Sequence, residues 1–325
     1  MPQGIQAAAA LFKIHVLRRR LPLFVSWNIT FRCNLRCLYC AANEVQRPEL
    51  DTEAVCAGLD ELWTLGTRWI TFGGGEPLVR SDMGAILQYA KAKGFAVFVS
   101  TNGVLLPKQA GLLESVDHVN LSLDGNREVH DLVRGAGTFD KALAALEVCR
   151  EHGVGVSLQC VLNKNNLDAA EDAIAVARTY GTRVMFQPAT RWLSSSRKRN
   201  PIAPDPVPYR RTMARLMALK RQGAPIRNSV AGLRHLARWP DPTRIWCIAG
   251  VLIAVVEADG SLLGCHQCQV GQFLNGEAMG GSLREQFAAL KVPEHCAECW
   301  CAPLVELALV FSLRPEAVLN AVRMN

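Results

Sequence analysis

Cys33, Cys37 and Cys40 are the residues closest to chemistry in this 325-residue chain, with three residues between the first two and two between the last two. Three thiolates in so short a loop can cap three irons of a cubane and leave the fourth iron open to an outside ligand. A zinc knuckle or incidental thiols are the competing readings, although structural zinc sites usually pair CxxC units and need a fourth close ligand. A second motif, Gly73-Gly74-Gly75-Glu76, sits directly after an expected strand. Consecutive glycines let backbone approach a ligand without side-chain clash. Carbonyls beside a carboxylate can then accept hydrogen bonds from an ammonium group. Alone, such a loop is a common strand-to-helix turn.

Together the two motifs carry a resemblance. Cys33-Asn34-Leu35-Arg36-Cys37-Leu38-Tyr39-Cys40 resembles the CxxxCxφC motif of the radical S-adenosylmethionine superfamily, with Tyr39 at the aromatic position. Gly74-Gly75-Glu76-Pro77 resembles its GGE(P) motif. The resemblance covers at least residues 24–190 and implies a partial (β/α)6 TIM-like barrel. It implies that Cys33, Cys37 and Cys40 bind three irons of a [4Fe–4S] cluster whose open iron chelates S-adenosylmethionine. An electron from a reductant such as flavodoxin or ferredoxin would then cleave the sulfonium and release a 5′-deoxyadenosyl radical. Tyr39, Gly74, Gly75, Glu76, Asn102, Ser122, Asp124 and Arg134 are the cofactor contacts this resemblance implies. Asn102 would meet the ribose region, and Arg134 the methionyl carboxylate, which favours a planar two-pronged donor. Turn chemistry for Asp124-Gly125 and a solvated Arg134 are the bland alternatives.

A second cysteine set lies downstream: Cys247, Cys265, Cys268, Cys296, Cys299 and Cys301. Cys247-x12-Gly260-x4-Cys265 resembles the opening of the SPASM and twitch domains that hold auxiliary [4Fe–4S] clusters. Two fully ligated cubanes need four thiolates each, and this region has six. One auxiliary cluster held by Cys247, Cys265, Cys296 and Cys299 is the economical reading. Cys268 and Cys301 are substitutes, or ligands of a second, incompletely ligated cluster; a zinc site is the remaining alternative. His266 is a weak candidate for a substrate-side catalytic base, against a surface or supporting role. Cys56, Cys149 and Cys160 fall among apolar residues and read as buried structural thiols.

The elements that must position these residues alternate strand and helix. Strands are expected at Phe24–Thr30, Trp69–Phe72, Ala96–Ser100, His118–Leu123, Gly155–Leu162 and Arg183–Phe186. Helices are expected at Thr52–Leu65, Met83–Ala92, Lys108–Leu113, Phe139–Glu151 and Leu167–Tyr180. Six such units predict a parallel sheet covered by helices. The glycine-rich and polar turns fall after strands, at the end of a βα barrel that carries function. Residues 191–208, with prolines at 201, 204, 206 and 208, read as a loop. A helix is expected at Tyr209–Arg221, then a hairpin of Val251–Glu257 and Ser261–Cys265 turned by Asp259-Gly260. The expected organisation is thus an N-terminal amphipathic extension (1–23), the barrel (24–190), a linker and helix (191–240) and a small C-terminal cysteine-rich iron–sulfur domain (241–325).

Lys and Arg number 36 against 29 Asp and Glu, a net charge of +7, and hydrophobic residues make up 50%. Such a composition excludes disordered, collagen-like and heptad-repeat classes. The apolar run Ala7–Phe12 precedes its charges, the reverse of a signal peptide. No stretch approaches the roughly 18–20 apolar residues of a membrane span. A cytoplasmic setting follows, where thiols stay reduced and clustered cysteines hold metals. A charge of +7 is modest and the Arg197–Arg199 run reads as a solvated loop rather than an RNA-binding patch, so a nucleic-acid partner is not expected. The functional expectation is hydrogen abstraction followed by oxidation or bond formation in a peptide or small-molecule substrate. Alternatives are a ribosomal-peptide maturase, an RNA-modifying enzyme, and a non-enzymatic iron–sulfur electron carrier. About 23 residues precede the first strand, short for an added peptide-recognition domain. Leu11–Leu23 and Leu304–Val322 could lie on an anionic membrane with a lipid-like substrate, or pack onto the open edge of the barrel.

Overall fold

A computed structural model describes residues 16, 19–193, 198–266, 280–291 and 296–323. Most of Leu11–Leu23, the start of the Arg197–Arg199 run, and Cys268 lie outside the described residues.

Strand β1 (Phe24–Thr30) shows how the sequence divides inside from outside. Val25, Trp27 and Ile29 are buried in the apolar core, whereas Ser26, Asn28 and Thr30 border an interior cavity. Side chains alternate along a strand, so a polar residue at every second position makes a polar inner wall. The alternation continues through β2 (Trp69–Gly74), β3 (Ala96–Thr101), β4 (His118–Ser122), β5 (Gly155–Leu162) and β6 (Arg183–Pro188), whose inward positions mix polar side chains with Trp69, Phe98, Val161 and Met185. Thr71, Ser100, Asn120, Gln159 and Gln187 all line that cavity.

Helices α1 (Thr52–Leu65), α2 (Met83–Lys93), α4 (Thr138–Glu151) and α5 (Ala170–Thr179) accompany the strands. Asp51 caps α1 by accepting from Ala54 N at 2.9 Å, and Gly66 ends it in the left-handed region. Helix α3 (Arg127–Arg134) was not expected: its eight residues are mostly polar, and its signal is the Asn126 cap on Val129 N. Between β3 and β4 the expected helix is instead 3-10 in form, Leu106–Ser115. Gln109 inside it leaves helical geometry (φ −127°), which interrupts an α-helical ladder. Helix α6 (Pro206–Arg221) starts three residues before the expected Tyr209, at its N-terminal prolines.

The sheet runs β6-β5-β4-β3-β2-β1-β7-β8 and does not close. Strand β7 (Ile253–Val256) pairs parallel with β1, Trp27 opposite Val256, and β8 (Leu262–Leu263) pairs antiparallel with β7. The expected hairpin is therefore present, but it extends the barrel sheet across the boundary expected at residue 241. Helix α7 (Val230–Leu236) and helix α8 (Leu283–Ala289) flank this region.

The apolar stretch expected at Leu304–Val322 forms two helices, α9 (Ala302–Phe311) and α10 (Pro315–Val322). Helix α9 spans the opening of the sheet. Ala302 N donates to Gln187 Oε1 of β6 at 3.1 Å, and Phe311 meets Phe24 of β1 edge-on at 6.0 Å. Packing onto the open barrel is thus the reading that the structure bears out for α9. No helix among the described residues is long and apolar enough to cross a membrane.

Candidate active site

The inner walls enclose a cavity of about 960 Å³, within the range of small-molecule sites. Cys33, Cys37 and Cys40 line its rim beyond the C-terminal end of β1, together with Gly74, Gly75, Glu76, Asn102, Ser122 and Arg134.

The cysteine loop is fixed from both sides. Glu49 accepts from the Thr30 hydroxyl at 2.7 Å and from Phe31 N at 2.9 Å, and pairs with Arg32. Burial would raise the Glu49 pKa, but these donors hold it below the ordinary range. Farther along, Leu38 N donates to Val133 O of α3 at 3.0 Å. Leu35 N and Ala42 N point at Cys33 Sγ (3.4 Å) and Cys40 Sγ (3.5 Å). Glu49 was missed in the sequence because nothing local marks a carboxylate sixteen residues after a cysteine as its loop's anchor.

The glycines of the second motif also have a packing reason within the chain itself. A Cβ on Gly74 would overlap Thr30 O, and one on Gly75 would overlap Arg32 O. Gly75 N donates to Thr30 O (2.8 Å) and Glu76 N to Arg32 O (2.9 Å). The close approach is to the chain's own cysteine loop, so the two motifs are one packed unit. Glu76 is buried, with Oε1 accepting from the Thr101 hydroxyl (2.8 Å) and Leu78 N (3.2 Å), and Oε2 from Asn102 N (2.8 Å). Burial raises its pKa against these donors. Asn102 Nδ2 reaches back to Asn34 Oδ1 at 2.8 Å, tying β3 to the cysteine loop.

Asp124 stands behind the cavity wall. Its Oδ2 accepts from Arg134 Nε at 2.6 Å and the Tyr39 hydroxyl at 3.4 Å, and its Oδ1 accepts from Val161 N at 2.9 Å. It is fully buried and does not border the cavity, whereas Arg134 does. Arg134 lies over the Tyr39 ring at 5.5 Å. Asp124 therefore aims Arg134, leaving the outer guanidinium nitrogens for a ligand. Burial, the largest single effect, opposes the Arg134 charge, but Asp124, Tyr39 and Cys37 together outweigh it and raise the pKa. His130 Nδ1 accepts from Asp124 N at 3.1 Å, and burial pushes its pKa down to about 4.

The second thiol set converges as well. Cys247, Cys265, Cys296 and Cys299 lie within electrostatic reach of one another, and Cys301, the N-cap of α9, lies near Cys265 and Cys299. Cys296, Cys301 and His266 border the same cavity as the first set. Burial pushes the thiols up, Cys37 and Cys247 to about 11 and Cys301 to about 12. It pushes the His266 imidazole down to about 4. Thiolates in such surroundings call for bound cationic charge. Among the described residues, no three His, Cys, Asp or Glu side chains converge tightly enough for a single metal ion. Cys149 and Cys160 are buried in the core, away from both sets, and Cys56 sits half-buried on α1.

Comparison with known proteins agrees with this geometry. The model of the Radical SAM superfamily matches residues 27–177. Fe-coproporphyrin III synthase of Methanosarcina barkeri is 42% identical over 150 residues, 44% of this chain and 38% of that protein. Mycofactocin maturase MftC of Mycolicibacterium smegmatis is 38% identical over 167 residues, 49% of this chain and 43% of that protein. The matches thus span less than half the length of these curated relatives. Among solved structures, Streptococcus suis SuiB bound to precursor peptide SuiA superposes with a TM-score of 0.68 at 14% identity, covering 87% of this chain and 68% of that one. Native anSMEcpe with bound AdoMet and a peptide superposes with a TM-score of 0.65 at 21% identity, covering 87% of this chain and 88% of that one. These two likenesses establish the fold.

Proposed function

We propose that this chain, which belongs to the radical S-adenosylmethionine superfamily, cleaves S-adenosylmethionine reductively and abstracts a hydrogen atom from a substrate held in the barrel cavity. The observation that carries this reading is the shared cavity wall. Three rim thiols, Glu76 and an Asp124-aimed Arg134 border one space, and the second thiol set opens onto it. When bound, the cluster and S-adenosylmethionine supply a 5′-deoxyadenosyl radical. Cys33, Cys37 and Cys40 would hold three of the irons. Arg134 would present paired N–H groups to the methionyl carboxylate. Glu76, its oxygens already fixed by Thr101, Leu78 N and Asn102 N, would receive the methionyl ammonium. Asn102 and Ser122 border the remaining length of the rim, where the ribose would lie.

Cys247, Cys265, Cys296 and Cys299 would hold one auxiliary [4Fe–4S] cluster against the cavity, where it can take an electron from the substrate or position it. His266 borders the cavity on that side and would contact the substrate there. A low-potential one-electron donor such as a flavodoxin or ferredoxin is the implied partner. The relatives are named as a mycofactocin maturase and an Fe-coproporphyrin III synthase, and the mixed wall, with polar side chains from β1 to β6 beside aromatic ones, suits a peptide or a small molecule with both polar and apolar parts.

The test is anaerobic reduction of reconstituted protein with S-adenosylmethionine and chromatography for 5′-deoxyadenosine. Wild type should form it and Cys37→Ala should form none. Fully reconstituted wild type that makes none overturns the reading. Iron and sulfide analysis counts the clusters: about eight irons per chain support one auxiliary cluster, about twelve two, and about four none.

A further inference from the structure

The floor of the cavity, at the N-terminal ends of the strands, carries a group that the rim chemistry does not use. Arg227 lies between α6 and α7 and borders the cavity. Its backbone is clamped there, Arg227 N donating to Val184 O of β6 at 2.7 Å and Asn320 Nδ2 of α10 donating to Arg227 O at 2.9 Å. Its Nη1 donates to His118 Nε2 at 3.2 Å and to the Ser157 hydroxyl, and these two are themselves bonded at 2.7 Å. Both partners are neutral; burial, then Arg227 itself, pushes His118 down to about 4. Nε and Nη2 donate to nothing among the described residues.

That free edge is the side-on fork of the guanidinium, the pair of parallel N–H groups that matches a carboxylate. The surroundings add positive charge rather than cancel it. Arg183 and Lys220 lie near, with Arg323 beside Lys220, against one carboxylate, Glu306, which is held by Ser229 N at 2.9 Å. Burial and Arg183 lower the Arg227 pKa against the opposing pull of Glu306, the cost of a guanidinium enclosed with no carboxylate in direct ion pair. The walls beside it are aromatic, Phe24, Trp69 and Phe98.

We propose that Arg227, propped by His118 and Ser157, is a carboxylate-binding subsite that anchors one end of the substrate at the floor of the barrel. This rests on the cavity being the substrate site, as argued above. Along β4, His118 marks the floor and Ser122 the rim, four residues apart, or about 13 Å at 3.3 Å per residue. A carboxylate held by Arg227 therefore fixes which carbon, on the order of 13 Å away, meets the rim. The substrate class is an acid of that length carrying an apolar middle, such as the C-terminal end of a peptide or a carboxyalkyl side chain.

Calorimetric titration of cluster-loaded protein with 4-phenylbutyrate and with 4-phenylbutyramide tests this. The acid should bind about 10- to 100-fold tighter than the amide, the range a charge-assisted bond contributes. Arg227→Met should abolish the preference. If that variant fails to fold, Arg227→Lys carries the assignment: an ammonium lacks the parallel pair, so acid affinity should fall at least about threefold while acid still outranks amide. Equal binding of acid and amide to wild type, a preference kept in Arg227→Met, or unchanged acid affinity in Arg227→Lys overturns the subsite. No S-adenosylmethionine cleavage enters the measurement. A protein that prefers the acid yet never forms 5′-deoxyadenosine would fail the radical reading instead.

Discussion

Two enclosed arginines mark the two ends of the cavity, and they are built oppositely. Arg134 at the rim has its Nε locked to Asp124 at 2.6 Å, in an ion pair with side chains 7% and 0% exposed. Arg227 at the floor leans on a neutral imidazole and a hydroxyl, with its fork unpaired. A buried charge with its counter-ion supplied by the fold is an aimed tool. One without a counter-ion is a vacancy for an anion that comes and goes. The rim arginine holds its ion pair before any ligand arrives, and the floor arginine has no carboxylate in direct contact.

Breaking the rim pair should have the largest effect on stability. Asp124→Asn keeps the shape but leaves Arg134 buried with no counter-charge, at a cost of about 3–5 kcal/mol. Denaturant unfolding of the cluster-free chain measures it, and a loss below about 1 kcal/mol would erase the contrast. Next comes the packing that holds the rim together. Gly75→Ala places a methyl group on Arg32 O, which is backbone and cannot swing aside. It should destabilise by about 1–3 kcal/mol and lower the iron bound per chain, as iron analysis would show.

Acid titration probes both ends at once. His130 at the rim and His118 at the floor are each pushed down to about 4, by burial first. Their folded pKa values lie below the unfolded 6.5, so their stabilisation is complete above about pH 6.5 and is lost as pH falls toward 4. At pH 5 each withdraws about 2 kcal/mol. Thermal unfolding followed from pH 7 to pH 5 should show this decline, and His118→Asn should roughly halve it, leaving the His130 part. The smallest effect is the most diagnostic. Arg227→Met removes a buried charge that has no direct ion pair while His118 and Ser157 keep each other, so stability should change by less than about 1 kcal/mol or rise. A loss near that of Asp124→Asn would mean that the floor arginine is a structural strut.

The rim was legible in the sequence because ligand spacing is local: Cys33 to Cys40 and Gly74 to Glu76 declare themselves within a few residues. Arg134 was legible through the same resemblance, but its partnership with Asp124, ten residues before it, needed α3 to fold back over the strand end. That the glycines serve the cysteine loop could not be read, since Thr30 O and Arg32 O arrive from a different strand. The floor was invisible. His118, Ser157 and Arg227 come from β4, β5 and a loop after α6, and none has a neighbour in sequence that hints at the others. The six strands of the barrel were legible from period-two and apolar patterning. Strand β7 was legible as a strand and not as a partner of β1, because an all-apolar run says that both faces are covered without saying by what.

That partnership sets a schedule for synthesis. Phe24 pairs with Ile253, so β1, once made, keeps one hydrogen-bonding edge bare until more than two hundred further residues have been made. Pairings of such sequence separation form slowly, and a bare strand edge invites pairing with other chains. A fragment cut at residue 190 would carry every rim thiol and the whole GGE loop, yet keep that edge exposed for good. Aggregation of that fragment, and a need for chaperoning of the nascent full chain, are consequences of where one four-residue strand lies in the gene.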